Sequence, residues 1–180
     1  MDEITIHDKT FVPYITFEEL EHAIKMMANT IYQQYRNETP IFVGVLNGVV
    51  MFMSDFLKQY KGSCEISFLQ MQSYEGLKST GKVRNLMDIG MDISNRHVII
   101  MEDIVDTGNT LEALYDLVRK KSAKSVKIAT LLYKPEAYKK DLDIDFIGMS
   151  IPDKFVVGYG LDYNRLGRNL PDIYQVKTNE

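Results

Sequence analysis

Between Val98 and Leu111 the chain reads V-I-I-M-E-D-I-V-D-T-G-N-T-L: an apolar run, an acidic pair, a third acid, and a small polar loop opening an amphipathic segment. A continuous run of β-branched and apolar residues from Val98 to Met101 predicts a strand buried on both faces. Leu111, Leu114, Tyr115 and Val118 recur at helical spacing, so a helix over 109–120 follows directly. The loop Asp106-Thr107-Gly108-Asn109-Thr110 therefore lies at the carboxyl end of a strand and the amino end of a helix. Free N–H groups and the helix dipole favour an anion there, typically a phosphate. Gly108 lets the backbone approach such a ligand, and the threonine hydroxyls add donors. Glu102 and Asp103 beside a phosphate cradle make sense for a ligand that also carries hydroxyls or a divalent cation.

The same alternation runs along the chain. Thr16-Phe17-Glu18-Glu19 forms a capping box, and Leu20, Ile24, Met27, Ala28 and Ile31 give one apolar face of a helix reaching about Tyr35. Pro40 precedes a second buried strand, Ile41 to Val45, then the turn Leu46-Asn47-Gly48 and a helix from Val49 to Tyr60. Cys64 to Met71 and Val126 to Tyr133 read as strands, with shorter ones at 145–149 and 155–158. Residues 72–96 are polar and without a convincing period, apart from a short strand near 82–86, and such a stretch is commonly functional. Strands alternating with helices predict an α/β fold with a mostly parallel sheet, whose ligands bind beyond the strands' carboxyl ends at the topological switch point.

Bulk properties narrow the function classes. The 180 residues support a single domain over 1–180, and the net charge of −4, with signs interspersed, offers no basic face for nucleic acid. Cys64 is the one cysteine, which suits a reducing compartment. Met1-Asp2-Glu3-Ile4 has no basic, apolar signal-like start, and no apolar run reaches the roughly 18 residues of a membrane span, so a cytoplasmic place is expected. The three histidines are scattered, and no G-x-x-x-x-G-K-[ST] occurs.

The register of strand, two acids, spacer, third acid and loop resembles the phosphoribosyl-diphosphate signature of the type I phosphoribosyltransferases. A second segment, I-P-D-K-F-V-V-G-Y-G-L-D-Y-N-R-L-G-R-N-L from Ile151 to Leu170, resembles the purine-binding hood of the hypoxanthine-guanine branch. The resemblance implies the type I fold, a central sheet flanked by helices with a small hood drawn mainly from 1–15 and 150–180. It implies that Glu102 and Asp103 hold the ribose hydroxyls, and that Thr107, Gly108, Asn109 and Thr110 hold the 5′-phosphate. Leu46, Asn47 and Gly48, with Arg168, fall to the pyrophosphate; the family commonly has lysine where this chain has Asn47, and often at Asn109. Phe155 is the stacking partner of the purine, Val156 offers its backbone, Lys134 meets the exocyclic oxygen, and Asp162 lies near the base. Magnesium falls to Glu102, Asp103 and Asp162, and Asp106 is the general base. Ser73 and Tyr74 fall in a mobile lid over about 72–96, which keeps water from the reacting centre.

By that resemblance the chain is a purine-salvage enzyme. It makes IMP or GMP and pyrophosphate from hypoxanthine or guanine and 5-phosphoribosyl 1-diphosphate, works as a homodimer or homotetramer, and needs no nucleic acid or membrane. The competing classes are a phosphoribosyltransferase for another base, a non-catalytic regulator that binds phosphoribosyl diphosphate, and a phosphate-sensing domain. Lys134 and Phe155 favour a 6-oxopurine over the first, Asp106 and Arg168 favour catalysis over the second, and the hood has no use in the third.

Overall fold

The computed structural model describes residues 2–73 and 83–177. Its main sheet has six strands: β3 (Ile41–Leu46), β4 (Glu65–Ser73), β5 (Val83–Met87), β6 (His97–Val105), β7 (Ser125–Tyr133) and β8 (Phe146–Ser150), in the order β5-β4-β3-β6-β7-β8. Five of these run parallel, and β5 pairs antiparallel with β4. The helices are α1 (Phe17–Tyr35), α2 (Val50–Gln59) and α3 (Asn109–Lys120). Thr16 caps α1 as its sequence predicts: its hydroxyl accepts from the Glu19 N–H, and the Glu19 carboxylate accepts from the Thr16 N–H at 2.8 Å.

Two apolar layers cover the sheet. On one face α1 and α2 pack Leu20, Ile24, Ile31, Phe52 and Phe56 against Phe42, Ile99 and Met101. On the other, Leu111, Leu114 and Val118 of α3 meet Val43, Val98, Ile100 and Ile128. Alternate residues of β3 and β6 thus enter opposite cores, which is why both strands read as unbroken apolar runs.

The chain leaves β3 for β4 on one side, then crosses to β6 on the other. The switch point therefore falls between β3 and β6, the two strands followed by Leu46-Asn47-Gly48 and by Asp106–Thr110.

The hood is a second, four-stranded antiparallel sheet of β1 (Ile4–Ile6), β2 (Lys9–Ile15), β10 (Ile173–Val176) and β9 (Val156–Val157). Its own small core holds Ile6, Phe11, Val157 and Tyr174. The Phe17 N–H donates to Asp172 Oδ1 at 2.7 Å, and the Tyr159 hydroxyl donates to Asp55 Oδ2 at 2.5 Å, tying hood to body.

The structure corrects one reading. The strand expected over Val98–Met101 runs on to Val105, so Glu102 and Asp103 project from a strand rather than from a loop. The short strand expected near 82–86 is present as β5, and Ile89 and Ile93 beyond it are buried at 5% and 1% exposure, anchoring that segment to the core. Ser73 closes β4, while Tyr74 lies outside the described residues.

Candidate active site

Three pieces of chain meet above the carboxyl ends of β3 and β6. Gly48 sits so close to the acidic pair that a Cβ there would fall 1.7 Å from Asp103 Oδ2. Gly160 of the hood, with φ of +97°, presses on the same turn: a Cβ on it would lie 2.0 Å from the Gly48 carbonyl oxygen. The Leu46–Asn47 peptide is cis, and Asn47 Oδ1 accepts from Gln70 Nε2 at 3.5 Å. The turn after β3 thus abuts the acidic pair through Asp103 and the hood through Gly160.

Because successive side chains alternate across a strand, Glu102 and Asp103 serve two adjoining cavities. Glu102 lines a pocket of about 120 Å³ with the loop Asp106–Thr110, and Asp103 lines one of about 320 Å³ with Lys134, Phe155, Asp162 and Arg168. Gly108, at φ +80°, precedes the first residue of α3, so the N–H groups of the loop open the helix with no side-chain cap. That leaves them free for an anion.

The base-side residues also come together. Lys134 is 6% exposed, and its Nζ lies 2.8 Å from Asp106 Oδ2 and 3.4 Å from Asp153 Oδ1. Phe155 is an exposed aromatic at 45%, edge-on to Tyr163 with centroids 5.7 Å apart, which leaves a ring face open. Beside it the Val176 N–H donates to the Phe155 carbonyl at 2.9 Å, so that facing pair is hydrogen-bonded and the next one, Val156 with Gln175, is not. The N–H and C=O of Val156 therefore point off the free edge of β9, as recognition of a base edge requires.

Arg168 is held on both prongs. Its Nη2 lies 2.6 Å from Asp162 Oδ1, and its Nη1 donates to the Gly160 carbonyl at 2.5 Å. Asp162 Oδ2 accepts from the Arg165 N–H at 2.7 Å. Glu102, Asp103 and Asp162 are not drawn into one ligand set: among the described residues no group of three or more His, Cys, Asp or Glu side chains is placed to hold a metal. Opposite strand faces separate the first two, and Arg168 and a backbone N–H occupy the third.

Burial pushes the Glu102 carboxyl well above the usual carboxylate range, and the Asp103 charge beside it adds to the rise. Burial likewise pushes Asp103 up to about 6, against the lowering effect of two backbone N–H groups and Arg168. Two acids that resist ionisation suit a site whose ligand brings donors and positive charge. The folded chain thus holds a proton on Asp103 that the unfolded chain has lost between its ordinary value of 3.8 and about 6. Stability contributed by Asp103 falls as pH rises through that window. An Asp103→Asn variant should therefore gain Tm relative to the parent at pH 7 but not at pH 4, which paired thermal melts would check.

Sequence reasoning missed four residues here. Tyr159, at φ +48° and 1% exposed, roots the hood, and Gly160 lets the hood touch the Gly48 turn. Tyr138 and Lys140 pack on the phosphate loop: a Cβ on Gly108 would lie 2.4 Å from Tyr138 Cε2 and 2.9 Å from Lys140 Cγ. The repeated glycines of G-Y-G were the only local signal for the first two, and the last two had none. A larger cavity, about 720 Å³ between α1 and β8, carries none of the expected site residues.

Comparison with known proteins places this arrangement. Residues 16–164 match the phosphoribosyl transferase domain family. The hypoxanthine-guanine phosphoribosyltransferase of Staphylococcus epidermidis is 43% identical over 162 residues, 89% of this chain and 90% of that protein. A crystal structure of hypoxanthine phosphoribosyltransferase from Staphylococcus aureus superposes with a TM-score of 0.88 at 40% identity, covering 92% of this chain and 91% of the other. One of hypoxanthine-guanine phosphoribosyltransferase from Bacillus anthracis, with a HEPES molecule in its active site, gives 0.87 at 38% identity, covering 93% and 97%.

Proposed function

The chain belongs to the phosphoribosyl transferase family, and from that membership we propose that it transfers the phosphoribosyl group of 5-phosphoribosyl 1-diphosphate to a 6-oxopurine. The products are a purine nucleotide, IMP or GMP, and pyrophosphate, a purine-salvage reaction. The observation that carries the choice of base is the Lys134–Asp106 pair, a donor and an acceptor 2.8 Å apart on the cavity wall that Phe155 shares. A 6-oxopurine carries an acceptor at O6 beside ring nitrogen N7, so its edge meets Lys134 and Asp106 together. Adenine presents an amino donor where Lys134 also donates, and is refused.

Each part then has a task. Phe155 stacks on the base, and the outward N–H and C=O of Val156 read its far edge. The Thr107–Thr110 loop holds the 5′-phosphate, and Glu102 and Asp103 fix the ribose through its hydroxyls. Asp106 takes the purine's ring proton as the glycosidic bond forms. Arg168 and the Leu46-Asn47-Gly48 backbone face the departing pyrophosphate, oriented through Asp162.

Magnesium fits without a three-carboxylate cage, because this ion keeps several waters and takes substrate phosphate oxygens with only one or two protein acids. Asp103, on the cavity that Arg168 shares, would hold it, with Glu102 on the other strand face left to the ribose hydroxyls, and the ion would neutralise the diphosphate as it leaves. The two raised carboxyl groups support this assignment, since a cation and ribose hydroxyls stabilise their ionised forms. Ser73 and Tyr74 shield the reacting centre. The enzyme works as a homodimer or homotetramer in the cytoplasm. Among the described residues, no helix is long and apolar enough to cross a membrane.

Offering hypoxanthine, guanine, xanthine and adenine separately, with phosphoribosyl diphosphate and magnesium, tests the proposal. Turnover of a 6-oxopurine with adenine refused is expected; turnover of adenine alone, or of no base, overturns it. Phe155→Ala should raise KM for the base about 10- to 100-fold, the equivalent of one stacked base. Its 45% exposure predicts little change in Tm.

A further inference from the structure

The loop that receives the 5′-phosphate contains no cationic side chain, because Asp106-Thr107-Gly108-Asn109-Thr110 offers only hydroxyls, an amide and a carboxylate. Its surroundings are acidic: Glu102 lines the same pocket, and Glu112 stands in the first turn of α3. Lys134, the buried lysine nearby, is engaged by Asp106 and Asp153. A phosphate brought here gains N–H donors but meets, among the described residues, no positive charge free of a carboxylate partner.

Among the described residues, one further cation touches the loop. The chain leaves Lys134 through a tight turn, in which the Lys134 carbonyl accepts from the N–H groups of Ala137 and Tyr138 at 3.2 and 3.1 Å. The Tyr138 hydroxyl then donates to the Leu142 carbonyl at 2.6 Å, fixing the segment between them. Its outcome is to set the Lys140 stem against Gly108, where a Cβ would lie 2.9 Å from Lys140 Cγ. The ammonium group meets Glu112 Oε2 at 2.7 Å, and Glu112 is 53% exposed. So exposed a partner holds a lysine weakly, and a dianionic phosphate competes for it favourably.

We propose that Lys140 supplies the positive charge that the phosphate loop lacks, exchanging Glu112 for the 5′-phosphate when a phosphoribosyl ligand binds. The proposal rests on the reading that Thr107–Thr110 hold that phosphate. Lys140 is thus a binding residue for the sugar phosphate and takes no part in the chemistry at the anomeric carbon.

The test measures ribose 5-phosphate binding by calorimetry beside KM and kcat for phosphoribosyl diphosphate. Lys140→Met should weaken ribose 5-phosphate about tenfold or more and raise KM for phosphoribosyl diphosphate alike, with kcat and KM for hypoxanthine within about twofold. Lys140→Arg should restore binding, Asn109→Lys should rescue the Lys140→Met variant, and Glu112→Gln should leave binding equal or tighter. Should Lys140→Met fold poorly, Lys140→Gln takes its place. Unchanged binding in the methionine or glutamine variant overturns the proposal. So does equal weakening in Glu112→Gln and Lys140→Met, which would mark a structural ion pair. A wild-type chain that binds ribose 5-phosphate but turns over no 6-oxopurine refutes only the base assignment, and the binding data still decide Lys140.

Discussion

Asp106→Asn should lower kcat for nucleotide formation by about 10²- to 10⁴-fold, the range expected when a positioned general base is removed. The amide keeps the size and one acceptor of the carboxylate but cannot take the purine's proton. It also breaks the charge pair with Lys134, so the edge of the base is read less well and KM for hypoxanthine should rise. The cost to the fold is small by comparison. Lys134 is buried, but Asp106 is 45% exposed on its side chain, and Asp153 remains 3.4 Å away. Discounted for solvent screening, the loss is about 1 kcal/mol. Steady-state kinetics with a thermal melt separate the two effects, and full turnover by the variant would remove Asp106 from the mechanism.

Gly160→Ala should be the most damaging substitution away from the charged residues. The backbone there has φ of +97°, and the new methyl would stand 2.0 Å from the carbonyl oxygen of Gly48. The oxygen belongs to the backbone and a Cβ is fixed by its own backbone, so no side-chain rotation relieves the overlap. Strain and overpacking together cost about 3 kcal/mol or more, and either the hood or the Gly48 turn must move. Because the same turn abuts Asp103, activity should vanish even in protein that remains folded. Gly90→Ala is the control: a Cβ there meets nothing within 4 Å, and its effect should stay within about 0.5 kcal/mol. Circular dichroism melts and activity assays on the two variants check the contrast.

Why some of this was legible in the chain and some not has a physical basis. The α1 capping box, the β3 and β6 runs and the helix at 109–120 rest on contacts within a few residues, and local patterns report those directly. The hood strands rest on distant ones: Phe11 pairs with Val176 and Pro13 with Tyr174. Ile4–Ile6 is too short for a period to show, and Pro13 argues against a strand until its place in β2 is known. The continuation of β6 through Glu102 and Asp103 was hidden for a related reason. Charges inside a strand look like its end, unless a ligand site covers them.

The site divides the same way. The loop residues and the hood motif were named in order along the chain, because their roles follow from sequence register. The side of β6 on which each acid falls was set by alternation, which the strand's true end decides. The contact of Gly160 with Gly48 and that of Lys140 with Gly108 belong to tertiary structure alone.

The central claim is that one composite site at the β3–β6 switch point holds phosphate, ribose and base in fixed order. A crystal structure with IMP and magnesium pyrophosphate tests it most directly. The account predicts the 5′-phosphate on the N–H groups of Thr107–Thr110, the ribose against Glu102 and Asp103, and the base between Phe155 and the Lys134–Asp106 pair. A nucleotide bound in the cavity between α1 and β8, or with its base on the α3 loop and its phosphate under the hood, would contradict it.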